Sequence, residues 1–248
     1  MENLILFAVV NLLAATLSGA AGGGGGLIST PFMVLLGLSP ATAIATAKFG
    51  GLGLSSGTSL RFFKEHITNR RAVIIFSIFG GVGALAGSLL LTHFSDQEEL
   101  LEKLMGGIIL FAGIPLLYVK GMGLKTTNPP RYLQIIGLGL LAVSVLFQAA
   151  LSAGIGSLQL VVFMGCFGMT ALTASATRRA MQLTVAIISL LVYIIAGLVD
   201  YKFGAVSFIT SLTGGYLGAH IAVKKGNKFI INVFAITSAL LALQLLLG

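Results

Sequence analysis

Five consecutive glycines, Gly22–Gly26, break an apolar run near the start of the chain. A short apolar segment and a turn at Ser39-Pro40 follow, and then Lys48 stands inside the next apolar run. Neither feature is cheap in a membrane helix. Glycines forgo side-chain packing and lose the most backbone freedom on folding, and a lysine near the bilayer centre costs about 2.5 to 3.5 kcal/mol on insertion scales. A broken backbone beside a buried cation implies a place for an anion.

That these segments lie in a membrane follows from composition. Hydrophobic residues make up 56% of the 248 positions and charged residues only 9%, with a mean hydropathy of +1.03, far from the soluble norm of about 25% charged residues. At about 20 residues per span the chain has room for one membrane domain, 1–248, and little else. The net charge of +8 sits in short clusters between apolar runs, the pattern of cytoplasmic loops rather than of a nucleic-acid surface. Cys166 is the single cysteine, which excludes an internal disulfide and any cysteine-rich metal site. The N-terminal run ending at Ser18-Gly19-Ala20-Ala21 lacks a basic flank and carries Glu2 instead, so it reads as a retained first helix.

Apolar segments run from 3 to 20, 27 to 37, 40 to 62, 72 to 92, 104 to 119, 132 to 151, 157 to 168, 170 to 198, 204 to 222 and 229 to 247. Those at 27 to 37 and 157 to 168 are too short to cross comfortably. The basic clusters Arg61/Lys64/Arg70/Arg71, Lys120/Lys125/Arg131 and Lys224/Lys225/Lys228 are expected in the cytoplasm; the acidic loop at Asp96–Glu102 and the neutral one at Asp200/Lys202 fall outside. From the loop at 120–131 to Asp200 the number of crossings must be odd. Either all three intervening segments span, or 132–151 and 157–168 enter and return as a re-entrant hairpin, which the short second arm favours.

Residues 37–48 align with residues 168–179 on a shift of 131: Gly37, Thr42, Ala43, Ala45 and Thr46 meet identical partners, Ser39 meets Thr170, and Lys48 meets Arg179. The same shift pairs Gly23 with Gly154, Gly25 with Gly156, Gly83 with Gly214 and Gly87 with Gly218. Two intramembrane cations at matching positions carry more weight than matching small residues. With an odd number of crossings per half, the repeat is inverted, and both termini are expected outside. The expected fold is an all-α polytopic membrane protein of two inverted-topology repeats, about 1–120 and 131–248. Each would hold a Gly-broken re-entrant hairpin followed by three spanning helices. Such repeats with broken helices place a substrate site near the midplane of transporters.

The glycine run with Pro31, the segment Gly37-Leu38-Ser39-Pro40-Ala41-Thr42-Ala43 and its degenerate copy around Gly154 and Gly168 resemble the TauE/SafE sulfite-exporter family, also called the toluene-sulfonate uptake permease family. The resemblance covers nearly the whole chain. It implies a bacterial or archaeal plasma-membrane carrier of sulfite, organosulfonates such as sulfoacetate, or related sulfur-containing or carboxylate anions. Pro31 meets Val162, and the second glycine patch is thinner, so unequal half-sites are expected.

Lys48 and Arg179 each lie well inside an apolar segment that holds no acidic residue. Two fixed cations there could hold an oxyanion, Arg bidentately and Lys as a point charge. Arg178 must point about 100° away from Arg179 on a helix, toward the site or its mouth. Ser18, Thr42, Thr46, Ser152, Thr173 and Thr177 could donate hydroxyls. The amides of Gly22, Gly23, Gly24, Gly154 and Gly156 could face an anion from short-helix N-termini or simply permit the turn. Gln148 and Gln159 could add amides, Asn11 less directly. His220 is a candidate for proton coupling or a structural histidine; Glu65 and His66 are loop residues with no assigned relay. Gly83/Gly87 and Gly214/Gly218 fit close helix packing.

The expected partners are a small anionic substrate and the lipid bilayer, with monomer and homodimer both open and no nucleic acid, cofactor or metal. A secondary carrier leads, an anion channel is the alternative, and an enzyme is disfavoured because HExxH, a Ser/His/Asp set and an intramembrane carboxylate pair are all missing from the sequence.

Overall fold

A computed structural model describes residues 2–21, 26–68, 70–97, 99–101, 103–104, 122–151 and 155–247. Among these, regular structure is helical throughout: α1 (Glu2–Ala21), α2 (Gly26–Leu35), α3 (Pro40–Lys64), α4 (Arg70–His93), α5 (Arg131–Leu151), α6 (Gly156–Gly165), α7 (Ala171–Ile195) and α8 (Tyr201–Leu247). α8 joins the two segments expected at 204 to 222 and 229 to 247, with a break at Gly226, whose φ of 75° lies in the left-handed region. Gly22, Gly23, Gly24, Ser152, Gly154 and most of the segment expected at 104 to 119 lie outside the described residues.

Local chemistry sets the starts of the two 25-residue helices α3 and α7 in the same way. The Ser39 hydroxyl accepts from Thr42 N at 3.3 Å and donates to Thr42 Oγ1 at 3.0 Å; Thr170 does the same with Thr173 at 3.3 and 3.0 Å. These are N-caps satisfying an otherwise unpaired backbone donor. A glycine of positive φ precedes each, Gly37 at 96° and Gly168 at 65°, as a reversal into a new helix requires.

Among the described residues, five helical stretches are long and apolar enough to cross a bilayer: Asn3–Ala21, Arg70–His93, Arg131–Leu151, Ala171–Ile195 and Tyr201–Val233. The chain is thus a multi-pass membrane protein. α3 is long enough but not among them, because its middle, residues 50–59, is glycine, serine and threonine broken by two leucines, and most of it is buried against other helices. α2 and α6 have 10 residues each, about 15 Å at 1.5 Å per residue, half the thickness of a hydrocarbon core. Lipid-facing surface is plain on α1, where Ile5, Val9, Leu13 and Leu17 recur every four residues and are all exposed, while Phe7, Asn11, Ala14 and Ser18 are buried.

Packing is close where glycines meet backbone. A Cβ at Gly214 or Gly218 would stand 2.7 Å from Leu12 O and 2.2 Å from Thr16 O; one at Gly83 or Gly87 would stand 2.6 Å from Ala142 O and 2.1 Å from Leu146 O. Contacts advance in the same direction along both partners, so α8 runs parallel to α1, and α4 parallel to α5. Helices α3 and α7 run antiparallel: Ala41, Ile44 and Ala45 at the start of α3 cluster with Tyr193 near the end of α7, while Phe62 near the end of α3 clusters with Ala176 near the start of α7.

A buried tricationic cavity

Where α1 and α5 stop, their last four carbonyls lose intrahelical partners and carry the negative end of the helix dipole. A buried cation reaches each helix end. Lys48 Nζ on α3 donates to Gln148 O at 2.7 Å. Arg179 on α7 donates through one terminal nitrogen to Ser18 O at 2.6 Å and to the Ser18 hydroxyl at 2.7 Å. The broken helices and the intramembrane cations therefore explain each other: interruption exposes an acceptor, and a cation from another helix satisfies it.

Neither contact exhausts its cation. An ammonium has three donors and a guanidinium five; Arg179 Nε is buried and has no partner among the described residues. Lys48, Arg178 and Arg179 are 6%, 3% and 4% exposed, and all three line one cavity of about 90 Å³, room enough for a small ion or several waters. The chain's seven carboxylates are Glu2, Glu65, Asp96, Glu98, Glu99, Glu102 and Asp200, and among the described residues none lines the cavity. Holding charge away from water costs several kcal/mol per ion, and three cations around one cavity give it a positive potential that favours a negative occupant.

Neutral groups complete the walls. Arg178 Nε donates to Gln159 Oε1 at 2.9 Å, and its guanidinium lies over Gly156 at the start of α6, with a terminal nitrogen 2.0 Å from where a Cβ would be. Gln159 Nε2 donates to Gln148 Oε1 at 2.8 Å; Gln182 Nε2 donates to Gln148 Oε1 at 2.7 Å and to Gln159 Oε1 at 2.9 Å. Facing them, Asn11 Nδ2 donates to Thr210 Oγ1 at 2.7 Å and Ser211 Oγ at 2.9 Å, and Asn11 Oδ1 accepts from Ser29 at 2.5 Å.

Of the residues expected at the site, Lys48, Arg178, Arg179, Ser18, Gln148 and Gly156 come together around the cavity. Gln159, fully buried, stands behind it. The threonines lie elsewhere. Thr42 and Thr173 serve the helix starts, Thr46 Oγ1 accepts from Asp200 N at 3.0 Å, and Thr177 Oγ1 is buried without a partner among the described residues. His220 Nδ1 accepts from Arg61 Nε at 3.1 Å, well along α8 from the cavity. Gln182, Ser29, Ser55, Ser207 and Ser211 also line it. Two of these had a readable signal, since Gln182 lies four residues after Arg178 and Ser211 four after Ser207, each pair on one helix face. No group of His, Cys, Asp or Glu able to hold a metal occurs among the described residues.

Comparison with known proteins gives the family. The family model described as "Sulfite exporter TauE/SafE" matches residues 7–245. A "Probable membrane transporter protein" of Haemophilus influenzae is 26% identical over 245 residues, covering 99% of this chain and 95% of that protein. The "Probable membrane transporter protein YfcA" of Escherichia coli is 25% identical over 241 residues, covering 96% and 87%, and the "Probable membrane transporter protein ORF9" of a Sinorhizobium species is 25% identical over 246, covering 98% and 93%. Helical with five candidate spans among its described residues, and matched by the family model along nearly its whole length, the chain belongs to the TauE/SafE family of membrane transporters.

Proposed function

We propose that the protein is a secondary carrier of small sulfur-containing or organic anions, among them sulfite and organosulfonates such as sulfoacetate. The anion binds between Lys48, Arg178 and Arg179. The observation that carries this reading is the cavity itself, lined by three buried cations and, among the described residues, by no carboxylate. A carboxylate anion is the neighbouring substrate class, since planar and tetrahedral oxyanions share the same donors.

The carrier is built from two inverted halves, about 1–120 and 131–248, each opening with a re-entrant pair, α1–α2 and α5–α6. Support comes from corresponding elements: α3 and α7 share a capping pattern and a length yet run antiparallel, and Lys48→Gln148 O is matched by Arg179→Ser18 O. Rocking of one half against the other around a fixed midplane site would alternate access. Loop charges put the basic connections in the cytoplasm and both termini outside, in a bacterial or archaeal plasma membrane.

Proteoliposomes loaded with sulfite or sulfoacetate test the proposal. Saturable counterflow is expected, falling at least about tenfold in Lys48→Gln and Arg179→Gln, as loss of a charged hydrogen bond predicts. Unchanged flux and binding in both variants would sink the site. Single-channel current without counterflow would make the protein a pore.

A further inference from the structure

The cations explain why an anion enters the cavity; the neutral groups determine which hydrogen bonds it finds there. Several lining acceptors are already occupied from behind. Ser18 Oγ accepts from Arg179 at 2.7 Å, Ser211 Oγ accepts from Asn11 Nδ2 at 2.9 Å, and Gln148 Oε1 accepts from both Gln159 and Gln182. A hydroxyl whose lone pair is held by a fixed N–H has its own proton left to give. An amide whose oxygen is held twice turns its N–H groups the other way. Among the described residues neither Ser18 nor Ser211 donates elsewhere, and Gln148 Nε2 has no partner. Asn11 cannot reverse, because its Nδ2 faces the Ser207 carbonyl at 3.3 Å and the Thr210 hydroxyl at 2.7 Å, whose own proton goes to Val206 O. With the N–H groups of Lys48 and Arg179, the wall is richer in donors than in side-chain acceptors such as Gln182 Oε1 and the Ser55 hydroxyl among the described lining residues.

We infer that the cavity selects oxyanions that carry no proton of their own, and that Asn11 and the Gln159–Gln182 pair are positioning residues that impose this choice. It deepens the carrier reading above and rests on it. A bound O–H would meet a wall where donors outnumber acceptors and would compete for the few acceptors there, the kind of mismatch that polar sites discriminate against.

Methanesulfonate and methylphosphonate, at a pH where both are monoanions, isolate this proton: shape and charge match, and only the phosphonate bears an O–H. Calorimetric titration of the purified protein should give methanesulfonate the tighter binding by about tenfold or more. In Asn11→Asp the new oxygen would accept from the Ser211 hydroxyl and free its lone pair toward the cavity. In Gln182→Glu, Gln148 Oε1 would lose a donor. Both changes are near-isosteric, and their added charge weakens the two monoanions alike, so the affinity ratio is the readout and should fall toward one. Thermal unfolding identifies folded variants, and if only one folds, that one decides. A ratio near one in the unsubstituted protein, or a ratio unchanged in the folded variants, would overturn the inference. Sulfite flux that persists beside such a ratio overturns this inference alone, whereas absence of flux and of binding by either probe overturns the carrier reading as well.

Discussion

Adding one methyl group at Gly156 should disarm Arg178 without unfolding the protein. Built on Gly156, a Cβ lies 2.0 Å from a terminal nitrogen of Arg178 and 2.8 Å from its Cζ; ordinary contact begins at 3.4 Å. The guanidinium must therefore retreat by about 1.4 Å, the gap between these values. Such a movement breaks its 2.9 Å bond to Gln159 and withdraws the charge from the cavity. A hydrogen bond to a charged group is worth about 1.5 to 3 kcal/mol, which at 1.4 kcal/mol per decade predicts an anion affinity about 10 to 150 times weaker in Gly156→Ala. The backbone has no reason to yield, since the obstacle is the far end of a long side chain. Calorimetric titration with sulfite should therefore show the fall in affinity, while thermal unfolding in detergent still shows a folded protein whose melting temperature drops by no more than loss of the Arg178–Gln159 bond requires. Gly139→Ala, with nothing within 4 Å of the added Cβ, is the control expected to change neither. Wild-type affinity in Gly156→Ala would refute the role given to Arg178.

Other substitutions read on stability. Gly87→Leu and Gly218→Leu push side chains into Leu146 O and Thr16 O, and each should cost at least about 1 to 3 kcal/mol as an overpacked contact, seen as a lower melting temperature or loss of folded protein. Ser39→Ala and Thr170→Ala remove matching caps and should each cost about 1 kcal/mol; a large difference between them would argue against equivalent roles. Tyr193→Phe leaves Ala149 O without the buried hydroxyl that donates to it at 2.5 Å, an expected loss of about 1 to 3 kcal/mol by denaturant unfolding.

Much of this arrangement could be read from the chain because it rests on local chemistry. Serine or threonine after a glycine marks the starts of α3 and α7 whatever surrounds them, and long apolar runs mark α1, α4, α5, α7 and α8. Lys48 and Arg179 stand out because a cation is rare in such runs. The threonines show where this logic stops. Thr42 and Thr173 sit at i, i+4 from Thr46 and Thr177 in both copies, which gives a helix face but not its neighbour; in the folded chain that face meets caps and the backbone of Asp200. Gln182 and Ser211 went unread for the complementary reason. An uncharged polar residue in a membrane helix is common enough to pass as packing, and only the approach of α5, α6 and α1 shows that their partners converge on one cavity.

The same approach bears on how binding could be coupled to movement. Lys48 on α3 is tied to the end of α5, and Arg179 on α7 to the end of α1; each tie joins elements that the proposed repeat assigns to opposite halves. A competing anion would have to break these ties if they used all the donors, but they do not. Lys48 has donors beyond the one given to Gln148 O, and Arg179 Nε is unspent among the described residues. An anion can therefore bind with both ties intact and bridge α3 to α7, adding a third link between the halves. On the proposed carrier reading, substrate then favours whichever disposition of the halves brings the two cations closest, and disfavours those that part them. Because the bridge needs both cations at once, loss of either one should abolish the coupling as well as weaken the site, which is what distinguishes a carrier's pair of cations from two independent attractive charges.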